Sequence, residues 1–323
     1  MKSPIYCDIS ITENCMFQCK MCKLWQLPRN NSELSINEWK DFIVSLEEFG
    51  SNDIRLHFGG GEPLLKEGML DLIEFANKRG FSTVMVTNGF LIDEAMAERI
   101  AHSGLDVISI SLDSMDGELH DFLRGQKGAH RRAIQTVSYL NKLGAKSISI
   151  LTVITGANMK GLVDLVEWVN TNDSISSIYL QAVSQPIAMP KDAEWYKKEE
   201  GTYLWPHDEE LRVRTIDKLI DFKTRGGKIS NSVAQLIRFK DYFRKPDSFS
   251  KGMVCNQGDY VVYVRATGEV FLCGSKSPIG HIKKGKIKDF WHSKDADLRR
   301  KEIRACTESC LNLLNCFVDK ELP

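Results

Sequence analysis

Residues 4–22 read PIYCDISITENCMFQCKMC, and this stretch decides the fold. Its first half, Pro4–Thr12, is rich in β-type residues and reads as a strand. Cys7 lies inside that strand and reads as a buried thiol. The second half is a loop with Cys15, Cys19 and Cys22 in C-x3-C-x2-C spacing. A loop directly after a strand can wrap round a compact metal group. Thiolates suit iron–sulfur clusters or zinc. Structural zinc takes four closed ligands, whereas this loop offers three. A cubane held by three thiolates leaves one iron open for binding or chemistry.

Outward from this stretch, the strand-then-loop unit recurs. Ser35–Phe49 reads as a helix, with Ser35 and Glu38 in capping-box spacing. Asp53–Phe58 is a strand running into Gly59, Gly60 and Gly61. Thr83–Thr87 ends at Asn88-Gly89, and Asp106–Leu112 ends at Asp113-Ser114. Lys146–Ile154 and Ile175–Ala182 are further strands. Helices at Lys66–Arg79, Leu91–His102, Ala129–Leu143 and Met159–Asn170 separate them. Such repeated βα units predict a parallel sheet with helices outside it. Right-handed crossovers would curl six units into an open, partial (β/α)6 barrel of TIM type, an α/β fold. Polar and glycine-rich residues follow the strands, where parallel α/β folds bind ligands. Those segments should therefore converge on one site.

The barrel is expected over residues 1–184. Residues 185–249 form an aromatic and charged connecting or lid segment, with helices at Asp208–Thr224 and Ser232–Phe243. Trp195, Tyr196, Tyr203, Trp205 and His207 fall in it, either packed on the barrel or walling the substrate. Residues 250–323 form a last small domain, opening with a β-hairpin that turns at Thr267-Gly268. The histidines show no metal spacing and read as structural. The basic run His281–Lys288 reads as a solvated face.

The chain has 323 residues, a formal net charge of zero and 42% hydrophobic residues. That balance argues for neither nucleic acid nor a membrane as partner. The N-terminus lacks a signal-type apolar core, so a soluble cytoplasmic protein is expected. None of the nine cysteines lies between Phe42 and Val254, a distribution that favours metal over disulfides.

The three-cysteine loop, followed by Gly60-Gly61-Glu62-Pro63 after the second strand, resembles the radical S-adenosylmethionine (SAM) superfamily. Met21 stands where the family often carries an aromatic residue. The resemblance implies an enzyme. A [4Fe-4S] cluster on Cys15, Cys19 and Cys22 would bind SAM and cleave it reductively to a 5′-deoxyadenosyl radical, which abstracts a hydrogen atom. Gly60, Gly61 and Glu62 would meet the methionine amino group. Ser111 and Asp113 would contact the ribose or carboxylate, Arg124 would pair with the carboxylate, and Asn88 would lie nearby. A flavodoxin- or ferredoxin-type electron donor follows from the same resemblance.

Cys255, Cys273, Cys306, Cys310 and Cys316 resemble the SPASM and twitch extensions of that superfamily. Five thiols cannot fill two four-thiolate cubanes, so one auxiliary [4Fe-4S] cluster is expected. Cys255 and Cys273 are its first ligands. Spacing does not decide which two of the other three complete it. The family usually has C-x2-C-x5-C here, and Cys306 departs from that spacing. A zinc ribbon is the alternative. The first strand starts almost at residue one, which suggests no appended leader-peptide domain. A small-molecule substrate, such as a sugar or aminocyclitol to be oxidised or epimerised, is therefore expected over a ribosomally made peptide. The rival from another class is a non-enzymatic metal-binding module.

Overall fold

Along β1 (Tyr6–Thr12), buried and half-buried residues alternate: Cys7, Ile9 and Ile11 are buried, while Tyr6, Asp8 and Ser10 are half-buried. This alternation sets the architecture of the computed structural model, which describes residues 3–28, 32–50, 53–187, 189–190, 192, 194–246, 249–250, 252–308, 310 and 314. β2 (Arg55–Gly60), β3 (Ser82–Thr87), β4 (Val107–Ser111), β5 (Ile148–Ile154) and β6 (Ser177–Ala182) follow in spatial sequence, each parallel to the last. Right-handed crossovers between sequential neighbours put every connecting helix on one face. These are α1 (Ile36–Leu46), α2 (Met69–Lys78), α3 (Glu94–His102), α4 (Gly117–Arg124), α5 (Ala129–Lys142) and α6 (Leu162–Thr171). Cys7, Ile9 and Ile11 share one core with Trp39, Phe42 and Ile43 of α1. The other face, with Tyr6, Asp8, Ser10, His57, Tyr179 and Gln181, is half-exposed and forms the inner wall of a barrel that does not close.

The capping box of α1 is present, with Ser35 N donating to Glu38 Oε2 at 2.7 Å and Glu38 N to Ser35 Oγ at 3.3 Å. α4 was not foreseen. Asp116 caps it through Glu118 N and Leu119 N, and it ends on Gly125 in the left-handed region. Its buried residues are His120, Leu123 and Arg124, so apolar periodicity could not reveal it.

The free edge of β6 is covered by Lys228–Asn231. Ile178 N donates to Lys228 O at 2.8 Å, and the Asn231 amide bonds both the N–H and the C=O of Leu180. At the other end, β7 (Val261–Val264) lies parallel to β1, from Tyr6 opposite Val261 to Ile9 opposite Val264. β8 (Glu269–Phe271) returns antiparallel after Gly268, where φ is +103°, and β9 (Gly280–His281) follows. The predicted hairpin thus extends the barrel sheet instead of forming a sheet of its own, giving nine strands in the order β6-β5-β4-β3-β2-β1-β7-β8-β9.

The connecting segment carries α7 (Glu199–Thr202), α8 (Glu209–Thr224) and α9 (Val233–Arg244). Trp195, Tyr196 and Trp205 pack with Tyr242 and Phe243 of α9, with Trp205 4.6 Å from Tyr196 and 5.2 Å from Tyr242 between ring centroids. These aromatics are buried, as packing requires. α10 (Ile287–Trp291) and α11 (Lys294–Arg304) complete the chain's described helices. The basic run is exposed but paired: Lys283 meets Glu38 and Lys286 meets Glu48, each at 2.7 Å, holding the C-terminal part against α1. Among the described residues no helix is long and apolar enough to cross a membrane.

Phe58 is fully buried between β1 and β3. Phe58→Ala should cost about 3–5 kcal/mol, the range for emptying a large buried aromatic site. Urea unfolding with an unchanged slope would measure it, and a loss below about 1 kcal/mol would show the core collapsing into the gap.

Candidate metal centres and their surroundings

The cysteine loop after β1 is clasped from several sides. Gly61 N donates to Thr12 O at 2.7 Å and Glu62 N to Asn14 O at 2.8 Å, so the end of β2 holds the start of the loop. Glu33 Oε1 accepts from Thr12 Oγ1 at 2.9 Å and Glu13 N at 2.7 Å, while Lys66 lies 3.4 Å from the other oxygen. Lys20 N donates to Leu123 O at 2.8 Å, docking the loop on the end of α4. Gly125 lies against Gln18, where a Cβ would fall 2.3 Å from the carbonyl oxygen.

The glycine run serves this clasp. Gly60 has φ +105°, and a Cβ on it would lie 2.5 Å from both Ser10 Oγ and Thr12 O. A Cβ on Gly61 would lie 2.1 Å from Asn14 O, whereas Gly59 faces open space. Side chains here would strike β1 and the cysteine loop themselves, which is a different reason for glycine from close approach to a ligand.

Glu62 is buried at the centre of the mouth. Its Oε1 accepts from Thr87 Oγ1 at 2.7 Å and Leu64 N at 3.2 Å, and its Oε2 from Asn88 N at 2.8 Å. Burial pushes its pKa up, and these three bonds work against that rise. Asn88 Oδ1 accepts from Phe90 N, and its Nδ2 reaches Met16 Sδ at 3.3 Å, inside the cysteine loop.

Asp113, just beyond β4, is fully buried. Arg124 donates to it twice, Nε to Oδ2 at 2.6 Å and Nη2 to Oδ1 at 3.0 Å, and Val153 N adds a bond to Oδ1 at 2.9 Å. The Arg124 charge also acts on the Cys19 thiol. Burial opposes its charge, but Asp113 and Cys19 outweigh it and hold the guanidinium protonated. Asp113 N donates to His120 Nδ1 at 3.1 Å, so that nitrogen is an acceptor, and burial pushes the His120 pKa down to about 4. Ser111 is buried at the end of β4.

No described cysteine forms a disulfide. Cys15, Cys19 and Cys22 are near enough to act electrostatically on one another. Burial pushes Cys19 up to about 12, with Arg124 pulling it back. Buried thiols of this kind lose their protons to a metal, and soft sulfur donors suit iron. The donor set thus fits an iron–sulfur cluster. Glu62, Asn88, Asp113 and Arg124 all connect to this loop or act on its thiols.

A second set lies beyond β7. Cys255, Cys273, Cys306 and Cys310 line one pocket with Ile303 and Lys276. Burial pushes Cys255 up to about 11, and the other three thiols add to the rise. Arg300 of α11 brings Cys306 there: it is buried and donates to Gly258 O at 2.9 Å and Trp291 O at 2.8 Å. Cys306, the thiol that departs from the family's spacing, therefore stands in the pocket. Cys316 lies outside the described residues.

Sequence reasoning missed two features. Glu33 sits in a stretch with no periodic signal. On the inner wall, strand register sets Asp8 between His57 and Tyr263. His57 Nδ1 lies 3.3 Å from Asp8 Oδ1, and Tyr6 packs edge-on to its ring. Only the strand register shows that Asp8 and His57 meet. His57 was read as structural; here it is a half-exposed residue of the wall.

The model of the radical SAM superfamily matches residues 9–169, and that of an iron–sulfur cluster-binding domain, SPASM, matches residues 255–316. The chain belongs to the radical SAM superfamily. As a radical SAM member it uses SAM with a [4Fe-4S] cluster, and its SPASM domain binds auxiliary iron–sulfur. It is 27% identical over 165 residues to a PqqA peptide cyclase of Bradyrhizobium diazoefficiens, covering 51% of this chain and 43% of that one. It is 25% identical over 287 residues to the sporulation killing factor maturation protein SkfB of Bacillus subtilis, covering 88% and 64%. The chain spans only 41–43% of the length of the first curated relatives it matches. Among solved structures, Streptococcus suis SuiB bound to precursor peptide SuiA superposes with a TM-score of 0.72 at 18% identity, over 99% of this chain and 76% of that one. At that identity the likeness is one of fold.

Gly61→Ala should break the clasp and lower iron uptake at the first site, while Gly59→Ala should not. Iron and sulfide content of anaerobically reconstituted protein checks this pair. Equal loading of both variants would show that the close approach at Gly61 is dispensable.

Proposed function

We propose that this radical SAM protein is an enzyme that modifies a ribosomally made peptide, with Cys15, Cys19 and Cys22 holding the reactive cluster. The observation that carries the reading is the gathering of three half-buried thiols around the charge of a buried arginine at the mouth of an open barrel. Bound there, a reduced [4Fe-4S] cluster would supply the electron that splits SAM to methionine and the 5′-deoxyadenosyl radical that takes a hydrogen atom from the substrate. The chain's own residues bind, orient and shield. Glu62 is held by Thr87, Leu64 and Asn88, so its carboxylate keeps one orientation at the mouth, where it would meet the methionine end of SAM. Arg124, fixed by Asp113, offers its remaining N–H groups to the SAM carboxylate. The inner wall carries Asp8, His57, Ser10, Tyr179 and Gln181 for substrate contacts.

Sequence reasoning favoured a small metabolite. The relatives favour a peptide over that reading: a PqqA peptide cyclase and a sporulation killing factor maturation protein are among them, and a fold neighbour is solved with its precursor peptide. Cys255, Cys273, Cys306 and Cys310 would hold one auxiliary cluster, with Cys316 an alternative ligand. A flavodoxin- or ferredoxin-type protein would supply the electron.

Anaerobically reconstituted protein should hold about eight irons, as two thiolate-bound four-iron clusters require. Changing Cys15, Cys19 and Cys22 together to Ala should leave about four irons and abolish 5′-deoxyadenosine formation with dithionite. If the triple variant still makes 5′-deoxyadenosine, the reactive site lies elsewhere. For the substrate, mass spectrometry should show a precursor peptide altered only when SAM and reductant are both present. Turnover of a sugar or aminocyclitol with every peptide left unchanged would restore the metabolite reading.

A further inference from the structure

The guanidinium of Arg124 bridges two groups of opposite consequence. On one side Asp113 holds it through two hydrogen bonds. Its positive charge also acts on Cys19, the middle thiol of the loop. The bridge is placed from the backbone. Arg124 is the last residue of α4, and Leu123 beside it accepts the N–H of Lys20, next in sequence to Cys19. Gly125 then fits against Gln18 on the other side of Cys19, with no room for a Cβ. Arginine and thiol are therefore held in one register by the two contacts that flank them.

We infer that Arg124 sets the reduction potential of the cluster on Cys15, Cys19 and Cys22, and that Asp113 moderates it; the inference rests on those thiols carrying a cluster. Reduction adds one electron, and the extra negative charge spreads onto the sulfurs. A nearby positive charge favours the reduced form. Burial keeps water from screening it. Apart from the other thiols, Arg124 and then Asp113 are the charged groups acting on Cys19. His120, on the far side of Asp113, is neutral and adds no charge. Asp113 acts on Cys19 more weakly than Arg124 does, so its opposing effect is the smaller. Arg124 is thus more than a clamp for the SAM carboxylate: it acts on the cluster before SAM arrives.

The test is an EPR-monitored redox titration of the reconstituted full chain, following the reduced-cluster signal that changes when SAM is added. Iron, sulfide and circular dichroism are measured on each sample. Arg124→Gln should move the midpoint to a more negative potential. Asp113→Asn should move it to a more positive one, and the double variant should fall between. A purely structural role would give shifts of one sign or none. Unchanged midpoints, shifts in one direction, or a tenfold loss of SAM affinity with no shift would each overturn the inference. If Arg124→Gln takes up no iron, Asp113→Asn decides alone, a positive shift supporting the inference and an unmoved midpoint ending it. A Cys15, Cys19 and Cys22 triple variant that keeps the SAM-responsive signal would overturn the cluster assignment itself, and this inference with it.

Discussion

Two backbone hydrogen bonds, Gly61 to Thr12 and Glu62 to Asn14, fix where the cysteine loop begins. A loop with three thiols has no internal ladder to shape it, so its conformation must come from its neighbours. The end of β2 can lie flat against it only because Gly60 and Gly61 have no side chains. Glu62 then passes the constraint to β3 through Thr87 and Asn88, and Asn88 returns it to the loop at Met16. From the far side, Leu123 and Gly125 press on the loop around Cys19. Each successive strand end thus contributes one element to the same ring, as expected where parallel strands all end at one mouth.

The electrostatics of the mouth follow from burial. Glu62, Asp113, Arg124 and three thiols share a space with little water. A lone buried charge there would be costly, and removing one partner of a buried pair typically costs about 3–5 kcal/mol. Asp113 and Arg124 neutralise each other with good bidentate geometry. Among the described residues no cation is bonded to Glu62; three hydrogen bonds, two of them from backbone N–H groups, do the stabilising. The thiols, pushed towards their protonated forms by burial, are left for a metal to deprotonate.

Much of this was legible because each βα unit is local. Strand alternation, the Ser35 and Glu38 capping box and the turn at Gly268 depend on residues close in sequence, and they stand as read. What escaped reading depends on pairing at long range. That β7 lies beside β1 has no local signature, and so neither has the row of His57, Asp8 and Tyr263 across three strands. α4 escaped because its buried face carries His120 and Arg124, whose hydrogen bonds replace apolar burial. Cys306 stood apart by spacing alone, whereas Arg300 and α11 carry it into the pocket with Cys255, Cys273 and Cys310. Gly60 and Gly61 were marked as necessary, but the backbone they accommodate could be seen only in the folded chain.

The central claim is that the loop of Cys15, Cys19 and Cys22 holds a four-iron cluster with one iron free for SAM. Mössbauer spectroscopy of the 57Fe-reconstituted chain, recorded with and without SAM, tests it most directly. The account predicts that one iron of one cluster changes its isomer shift and quadrupole splitting when SAM binds, while the other cluster is unaffected. Spectra that do not change with saturating SAM, in protein carrying both clusters, would contradict it.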